Sequence, residues 1–351
     1  AIGDKALKYN TTGDLNTAVG SLSLDACTTG ANNTAVGHYS LGVTTTGNSN
    51  TGIGENCLQA NTTASNNTAV GRRAMFSNTT GTDNVAMGHN ALDANTTADN
   101  NTAIGHDALT TNTTGHGNSA LGSNALAANT TADNNTAVGY LALTANTTGP
   151  ENVAIGANAL DANTTGAENS AIGYNSLGAN TTGGGNAASG RKALQLNTTG
   201  AENTAMGATA LASNTTASYN TAVGFRSLYL NTTGTQNTAV GFESLKAHTT
   251  SNDCVAVGWQ SQLSSTTGAA NVSLGGGSLR TLTTSSNNVA IGNASQYVST
   301  AANNTSVGAE SLRYNTTGAS NTAVGYQSLY ANTTASNNTA VGLSALRDNT
   351  T

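Results

Sequence analysis

The chain has 351 residues, a net charge of −6, 8% charged residues and 4% aromatic residues. So few cations on a net-negative chain exclude a nucleic-acid partner, which demands many phosphate contacts. No apolar run is long enough to span a bilayer, and no signal peptide is visible at the N-terminus, which is not a Met.

The organising feature is a repeat. Asn16-Thr17-Ala18-Val19-Gly20 returns at Asn33, Asn50 and Asn67 and onward to Asn321 and Asn338, always seventeen residues apart except for one step of sixteen between Asn288 and Asn304. A fixed short period along a whole chain means a repeat architecture. One unit reads N-T-A-V-G-x-x-[AS]-L-x-x-N-T-T-[GA]-x-x. The β-branched Thr and Val predict a short strand. The invariant Gly at its end predicts positive φ or a close backbone approach. The small-Leu pair, as in Ala91-Leu92, predicts a second short strand, and Asn-Thr-Thr-Gly predicts the second turn. The spacing does not fit a helical stripe, so the unit is one coil of an all-β, parallel β-solenoid of about 21 coils. At about 4.8 Å per coil a single-chain solenoid of that count is a rod of about 100 Å.

Two large apolar residues per coil, such as Val19 and Leu24, make a thin core to set against the entropy of ordering seventeen residues. With those two inward, strand alternation puts the small residues on the opposite face. A column such as Ala103, Ala137 and Ala222 then predicts chains packing side by side.

In chain order, residues 1–15 complete a partial first coil and the pattern is regular to residue 245. The position after the Gly varies and is often bulky, as in His38, His89, His106, Tyr140 and Tyr174, which places it in solvent. On three successive coils it holds Phe225, Phe242 and Trp259, with Arg226 alongside, a candidate ligand strip. The sole proline, Pro150, falls in a turn position. From 246 to 304 the pattern loosens. His248, Ser265, Leu282 and Ser299 replace the second Asn, Cys254 replaces the leading Asn, and Gln262 and Gln296 take the Leu phase with Leu263 and Tyr297 one residue later. These changes predict a local bulge or register change in the second strand. Regularity returns over 305–351. The whole reads as a single repeat domain, 1–351, that begins and ends in mid-repeat and so as a segment of a longer protein.

Asn-Thr-Thr is also an N-glycosylation pattern. It occurs at Asn10, Asn61, Asn78, Asn95, Asn112, Asn129, Asn146, Asn163, Asn180, Asn197, Asn214, Asn231, Asn315, Asn332 and Asn349. The competing reading is a ladder of amides hydrogen-bonded from coil to coil, and the leading Asn, mostly without a sequon, favours the ladder. Thr-Thr offers one outward hydroxyl column rather than a paired array, which leaves ice binding as the alternative to attachment. His89 and His106 lie on successive coils with no carboxylate or Cys partner in view, half of a metal-ligand set. Cys27, Cys57 and Cys254 occupy three unmatched phases and form no disulfide framework. No catalytic constellation and no cofactor site is legible.

Asn152-Val153-Ala154-Ile155-Gly156 and Asn288-Val289-Ala290-Ile291-Gly292 resemble the S-V-A-I-G repeats of YadA-like trimeric autotransporter adhesin heads. The longer unit from Asn321 to Thr334 is similar to the repeats of phage-type tail-fibre proteins. The resemblance implies a left-handed parallel β-roll, three chains side by side, displayed extracellularly on a cell or virion surface. A period of seventeen, longer than the adhesin-head coil, departs from it. The expectation is therefore a non-enzymatic homotrimeric fibre or adhesin segment, a rigid spacer with an attachment surface for glycans. A monomeric solenoid with a Thr/Asn face toward ice or glycans is the alternative.

Overall fold

A computed structural model describes residues 1–350. It is all-β, a parallel β-solenoid with twenty strands of three residues each, one per repeat. The chain forms two compact units, the first from Ala1 to Asn175 and the second beginning at Ser176. The first holds β1 (Thr17–Val19) to β10 (Ser170–Ile172) and the second β11 (Ala187–Ser189) to β20 (Thr339–Val341). Within each unit every strand pairs in parallel with the next, each residue facing its equivalent one coil on, as in Thr68↔Val85, Ala69↔Ala86 and Val70↔Met87. Ile2 of the partial first coil bridges Val19 in the same sense.

The coil from Asn84 to Asn100 shows how the sequence makes the turn. Val85–Met87 is the strand. Gly88 comes next at φ 140°, and a Cβ there would lie 2.4 Å from the carbonyl oxygen of Gly105 on the next coil. Glycine is thus required twice over, by its dihedral and by the stacking of backbones. Asn90 and Leu92 then both take φ 55°.

The predicted second strand is therefore absent. Positive φ recurs there at every second residue, Asn90 and Leu92, and the segment is a turn. It still hydrogen-bonds to its neighbour: Leu92 N–H donates to Ala108 C=O at 3.0 Å and Ala94 N–H to Thr110 C=O at 3.0 Å. A left-handed Leu costs about 1–2 kcal/mol. Burying its side chain completely, as every Leu from Leu24 to Leu211 at this phase is buried, contributes about 1.5–3 kcal/mol. The inter-coil hydrogen bond adds about 1 kcal/mol, so packing outweighs strain.

The faces of the strand are also the reverse of the expectation. Ala103, Ala137 and Ala222 are wholly buried, and it is the Thr and the Val or Ile on either side that point outward. The interior explains this. At Gly52, the one glycine in that column, an added Cβ would sit 2.7 Å from Ser40 Oγ and 3.3 Å from Leu41 Cγ. Leu and its small neighbour fill the coil from the other side and leave room for no more than an Ala methyl, or for a Ser where Gln262 and Gln296 stand in place of the Leu and donate to Ser273 and Ser306. The alanine column is core, not a surface between chains.

Two amide ladders complete the core. The leading Asn84 donates its backbone N–H to Asn67 Oδ1 at 3.0 Å and its Nδ2 to Ala98 C=O at 2.9 Å. At the second corner Asn95 Nδ2 donates to Asn78 Oδ1 at 2.8 Å and to Ala98 C=O at 3.0 Å. Cys27 and Cys254 replace a ladder amide at the second and the leading Asn position, whereas Cys57 takes the small position before Leu58, where Ser40 and Ala74 stand on the neighbouring coils. Cys27, Cys57 and Cys254 are buried free thiols. Cys57 Sγ donates to Ala69 C=O at 3.1 Å and Cys254 Sγ to Gly268 C=O at 3.1 Å. Burial pushes the Cys57 thiol up to about 12.

The irregular stretch keeps its register, contrary to the bulge or shift expected in its second strand. Gln262 N–H donates to Ser278 C=O and Gln296 N–H to Ser311 C=O, both at 2.9 Å, at the phase where Leu92 N–H donates to Ala108 C=O. β15 (Val255–Val257) to β18 (Thr305–Val307) pair residue for residue, and the sixteen-residue coil is absorbed at the Thr-Thr turn, since Val289 still faces Thr305. Gln262 and Gln296 occupy the Leu site itself at φ 51° and 48°. Gln262 Nε2 donates to Val255 C=O at 2.9 Å and Ser273 Oγ at 2.8 Å, and Gln296 Nε2 to Val289 C=O at 2.9 Å and Ser306 Oγ at 2.9 Å.

His248 stands where the second Asn belongs. Its Nε2 donates to Ser251 C=O at 2.8 Å, but it leaves Asn231 Oδ1 buried with no partner. Burial lowers the His248 pKa, against the hydrogen bond to Ser251. A histidine depressed in the folded state stays neutral there while the unfolded chain takes up a proton below about pH 6.5. Stability is then intact above that pH and falls as pH falls toward the folded value. His248→Asn is expected to raise stability at pH 7 by about 1–2 kcal/mol, because the new amide supplies Asn231 with its donor. It should also flatten the decline between pH 7 and 5 relative to the parent. Parallel thermal melts at both pH values check this, and an identical decline in parent and variant would refute it.

Candidate attachment surface

The positions that vary between repeats lie outside the coil, where a ligand would meet them. Phe225, Phe242 and Trp259 are 42%, 44% and 55% exposed, as their phase predicts. Phe225 and Phe242 stack with centroids 5.6 Å apart and planes 20° from parallel. The Arg226 guanidinium lies 5.1 Å from the Phe225 ring and 3.8 Å from Glu243 Oε1. Glu243 also receives Lys246 Nζ at 2.7 Å and Gln260 Nε2 at 3.1 Å. The Lys246 hydrogen bond, ahead of Gln260 and Arg226, holds its carboxyl below the usual range. The Phe pair is thus edged by a fixed ion cluster. Trp259 continues the column but faces a different neighbour, Arg280, whose guanidinium is 5.7 Å from its ring.

Sequence reasoning missed a second column, beyond Trp259. At the position after Leu, five successive coils of the second unit carry Arg280, Tyr297, Arg313, Tyr330 and Arg347. Arg280 lies 5.4 Å and Arg313 5.6 Å from the Tyr297 ring, and Arg347 lies 5.0 Å from Tyr330. Arg280 Nη1 donates to the Tyr297 hydroxyl. The alternation of Arg and Tyr at one phase is the legible signal of this column, overlaid in the sequence by the lost Leu and Asn of the loosened repeat.

The glycosylation pattern fares differently. Asn61, Asn78, Asn95, Asn112, Asn129, Asn146, Asn163, Asn180, Asn197, Asn214, Asn231, Asn315 and Asn332 are fully buried. Their amides form the second ladder, and a glycan on any of them has no place in this fold. Asn10 is exposed and Asn349 half-buried, so these two sequons stay accessible. The Thr after each Asn directs its hydroxyl to the stacking too: Thr62, Thr79 and Thr96 donate Oγ1 to the equivalent carbonyl one coil on, at 3.2, 2.9 and 3.2 Å. The next Thr is exposed, leaving one outward hydroxyl column at this corner.

In the first unit His89 and His106 do have a carboxylate beside them. His106 Nδ1 lies 3.1 Å from Asp107 Oδ2, and ligand atoms of all three residues fall within 4.8 Å of one another. The sequence reading took no account of the left-handed residue next to His106 as part of the same cluster. Yet the imidazoles stack, 5.3 Å between centroids and 12° from parallel. Their in-plane lone pairs therefore run side by side and do not converge on one ion. His89 Nε2 is also 3.1 Å from Arg72 Nη1, which puts a fixed cation next to the cluster. A metal here needs both a ring rotation and displacement of Arg72.

The strand faces form the other large surface. In the first unit the third strand residue is Val, Ile, Met or Leu in all ten strands, with Met87 43% and Leu121 48% exposed. The flanking first residues are Thr, Val or Ser, and none is charged. No helix among the described residues is long and apolar enough to cross a membrane. Comparison of the chain with protein-family models and with curated proteins finds no match.

Proposed function

We propose that this chain is a non-enzymatic structural segment of an extracellular fibre or adhesin, on a cell or virion, that assembles as a homotrimer and carries attachment sites on its outer corners. The observation that supports it best is the uncharged, in-register strand face. Exposed contiguous apolar surface of this kind marks an association site, and a flat column of Thr and aliphatic side chains matches a second copy of itself. The contact so proposed runs through Val138 and Ile155 and their equivalents, in place of the buried alanines. The Phe and Trp strip and the Arg/Tyr column stand at other phases of the coil, after the strand's Gly and after the Leu. They remain free to meet surface glycans, and weak contacts repeated on three chains combine through avidity.

Ile155→Lys places a charge on the strand face. It is expected to release single chains with an unchanged far-ultraviolet β signal, read by light scattering and circular dichroism. An assembly of unaltered mass would contradict the proposed contact. Ice binding has the outward Thr of the strand in its favour, but an aliphatic column beside it breaks the hydroxyl array. Thermal hysteresis in the parent chain would favour that reading instead.

A further inference from the structure

The Arg/Tyr column of the second unit is a surface strip that runs from coil to coil, the layout that suits a charged chain. Five coils in succession alternate guanidinium and phenol, and Trp259 caps one end. Three features separate it from an ordinary solvated face. Arg280 has no carboxylate within 4.0 Å among the described residues, whereas Arg72, Arg73, Arg226, Arg313 and Arg347 each have one; Arg191 also has none but is exposed, where Arg280 is half-buried. The Nε atoms of Arg280 and Arg313 are enclosed without any hydrogen-bond partner. Between Gly275 and Thr350 the charged residues are Arg280, Arg313, Arg347, Glu310 and Asp348, so the region is net positive in a chain of net charge −6.

The spacing selects the ligand. Cations recur on alternate coils, about 10 Å apart at about 4.8 Å per coil, with an aromatic ring between each pair. Aromatic faces pack on the apolar faces of sugars, and guanidinium pairs with carboxylate in a planar fork. A linear polysaccharide advances by nearly the coil rise per sugar, so one with a carboxylate on every second sugar places neutral rings over Tyr and charges over Arg. We infer that Trp259, Arg280, Tyr297, Arg313, Tyr330 and Arg347 form a site for a linear acidic polysaccharide that alternates neutral and uronate sugars. This deepens the attachment reading and rests on it for its biological use.

The test uses the full chain and hyaluronan, which alternates a neutral sugar and a uronate, with three comparison polymers: carboxyl-reduced hyaluronan, DNA and polyphosphate. Binding is followed by calorimetry at two salt concentrations, with the assembly mass recorded in the same buffers. The expected result is binding to hyaluronan that weakens with salt, is lost on carboxyl reduction, and falls at least tenfold in Arg280→Gln and Arg313→Gln with unaltered melting. Arg280→Lys, which keeps the charge but loses the planar fork, should fall between parent and Arg280→Gln. Equal binding of the carboxyl-reduced polymer, or equal or tighter binding of DNA or polyphosphate, overturns the inference. So does unaltered binding in both Gln variants. Absence of any binding by an intact trimer overturns the site while leaving the fibre reading standing, whereas binding by a monomer supports the site and removes the fibre.

Discussion

Asn129→Ala is expected to lower stability by about 3 kcal/mol, one of the largest effects of any single truncation in the chain. Asn129 Nδ2 donates to Asn112 Oδ1 at 2.9 Å and to Ala132 C=O at 3.0 Å, and its Oδ1 accepts from Asn146 Nδ2 at 3.0 Å. All of these groups are inside the coil. Each buried polar group left without its partner costs about 1–3 kcal/mol, and a methyl in the space restores none of them. Chemical denaturation of parent and variant measures the difference. A change below about 0.5 kcal/mol, the range of ordinary surface substitutions, would mean that the amides are solvated and the ladder contributes nothing.

Ala137→Leu is the second large effect, and it separates two pictures of the strand. The side chain is wholly buried, and the equivalent column at Gly52 shows Ser40 and Leu41 already in contact distance of a single added carbon. Strand hydrogen bonds on both sides prevent the backbone from moving away. Overpacking a filled core costs about 1–3 kcal/mol, and with so little freedom to relax the expected loss is at the top of that range. Val138→Leu, one residue on and outward, meets no filled core within its own coil and is expected to cost the fold of the chain much less than Ala137→Leu does. If Ala137→Leu melted like the parent but came apart as an assembly, the alanine column would face a neighbouring chain after all.

These two residues also show how much was legible. The period, the parallel stacking, the Gly at each strand end and the inward Leu follow from residue types at fixed phase. The direction of the strand did not, because a three-residue strand has one inward side chain and the usual rule selects the bulkier flanking Val. What decides the matter is volume across the coil, and that depends on the Leu opposite. The missing second strand has the same origin. Nothing in Ala-Leu announces left-handed φ at a leucine, a conformation held by stacking of whole coils and not by local preference. Other features were present but unread. Gln262 and Gln296 are the two glutamines in the Leu phase, and Ser273 and Ser306 are the two serines in the strand's central position, each one coil later. Reading that pairing points to two buried amide–hydroxyl contacts, not to a slipped register. At the surface, phase placed Phe225, Phe242 and Trp259 outside. It could not show that Trp259 joins the Arg280 column more closely than the phenylalanine pair, since that depends on side-chain reach across phases.

Association through the strand face is the premise on which the fibre reading stands. The mass of the parent chain in solution, by light scattering or analytical ultracentrifugation over a range of concentrations, tests it most directly. The account predicts a species of three times the chain mass that persists on dilution. A fully folded species of one chain mass at every concentration would contradict it.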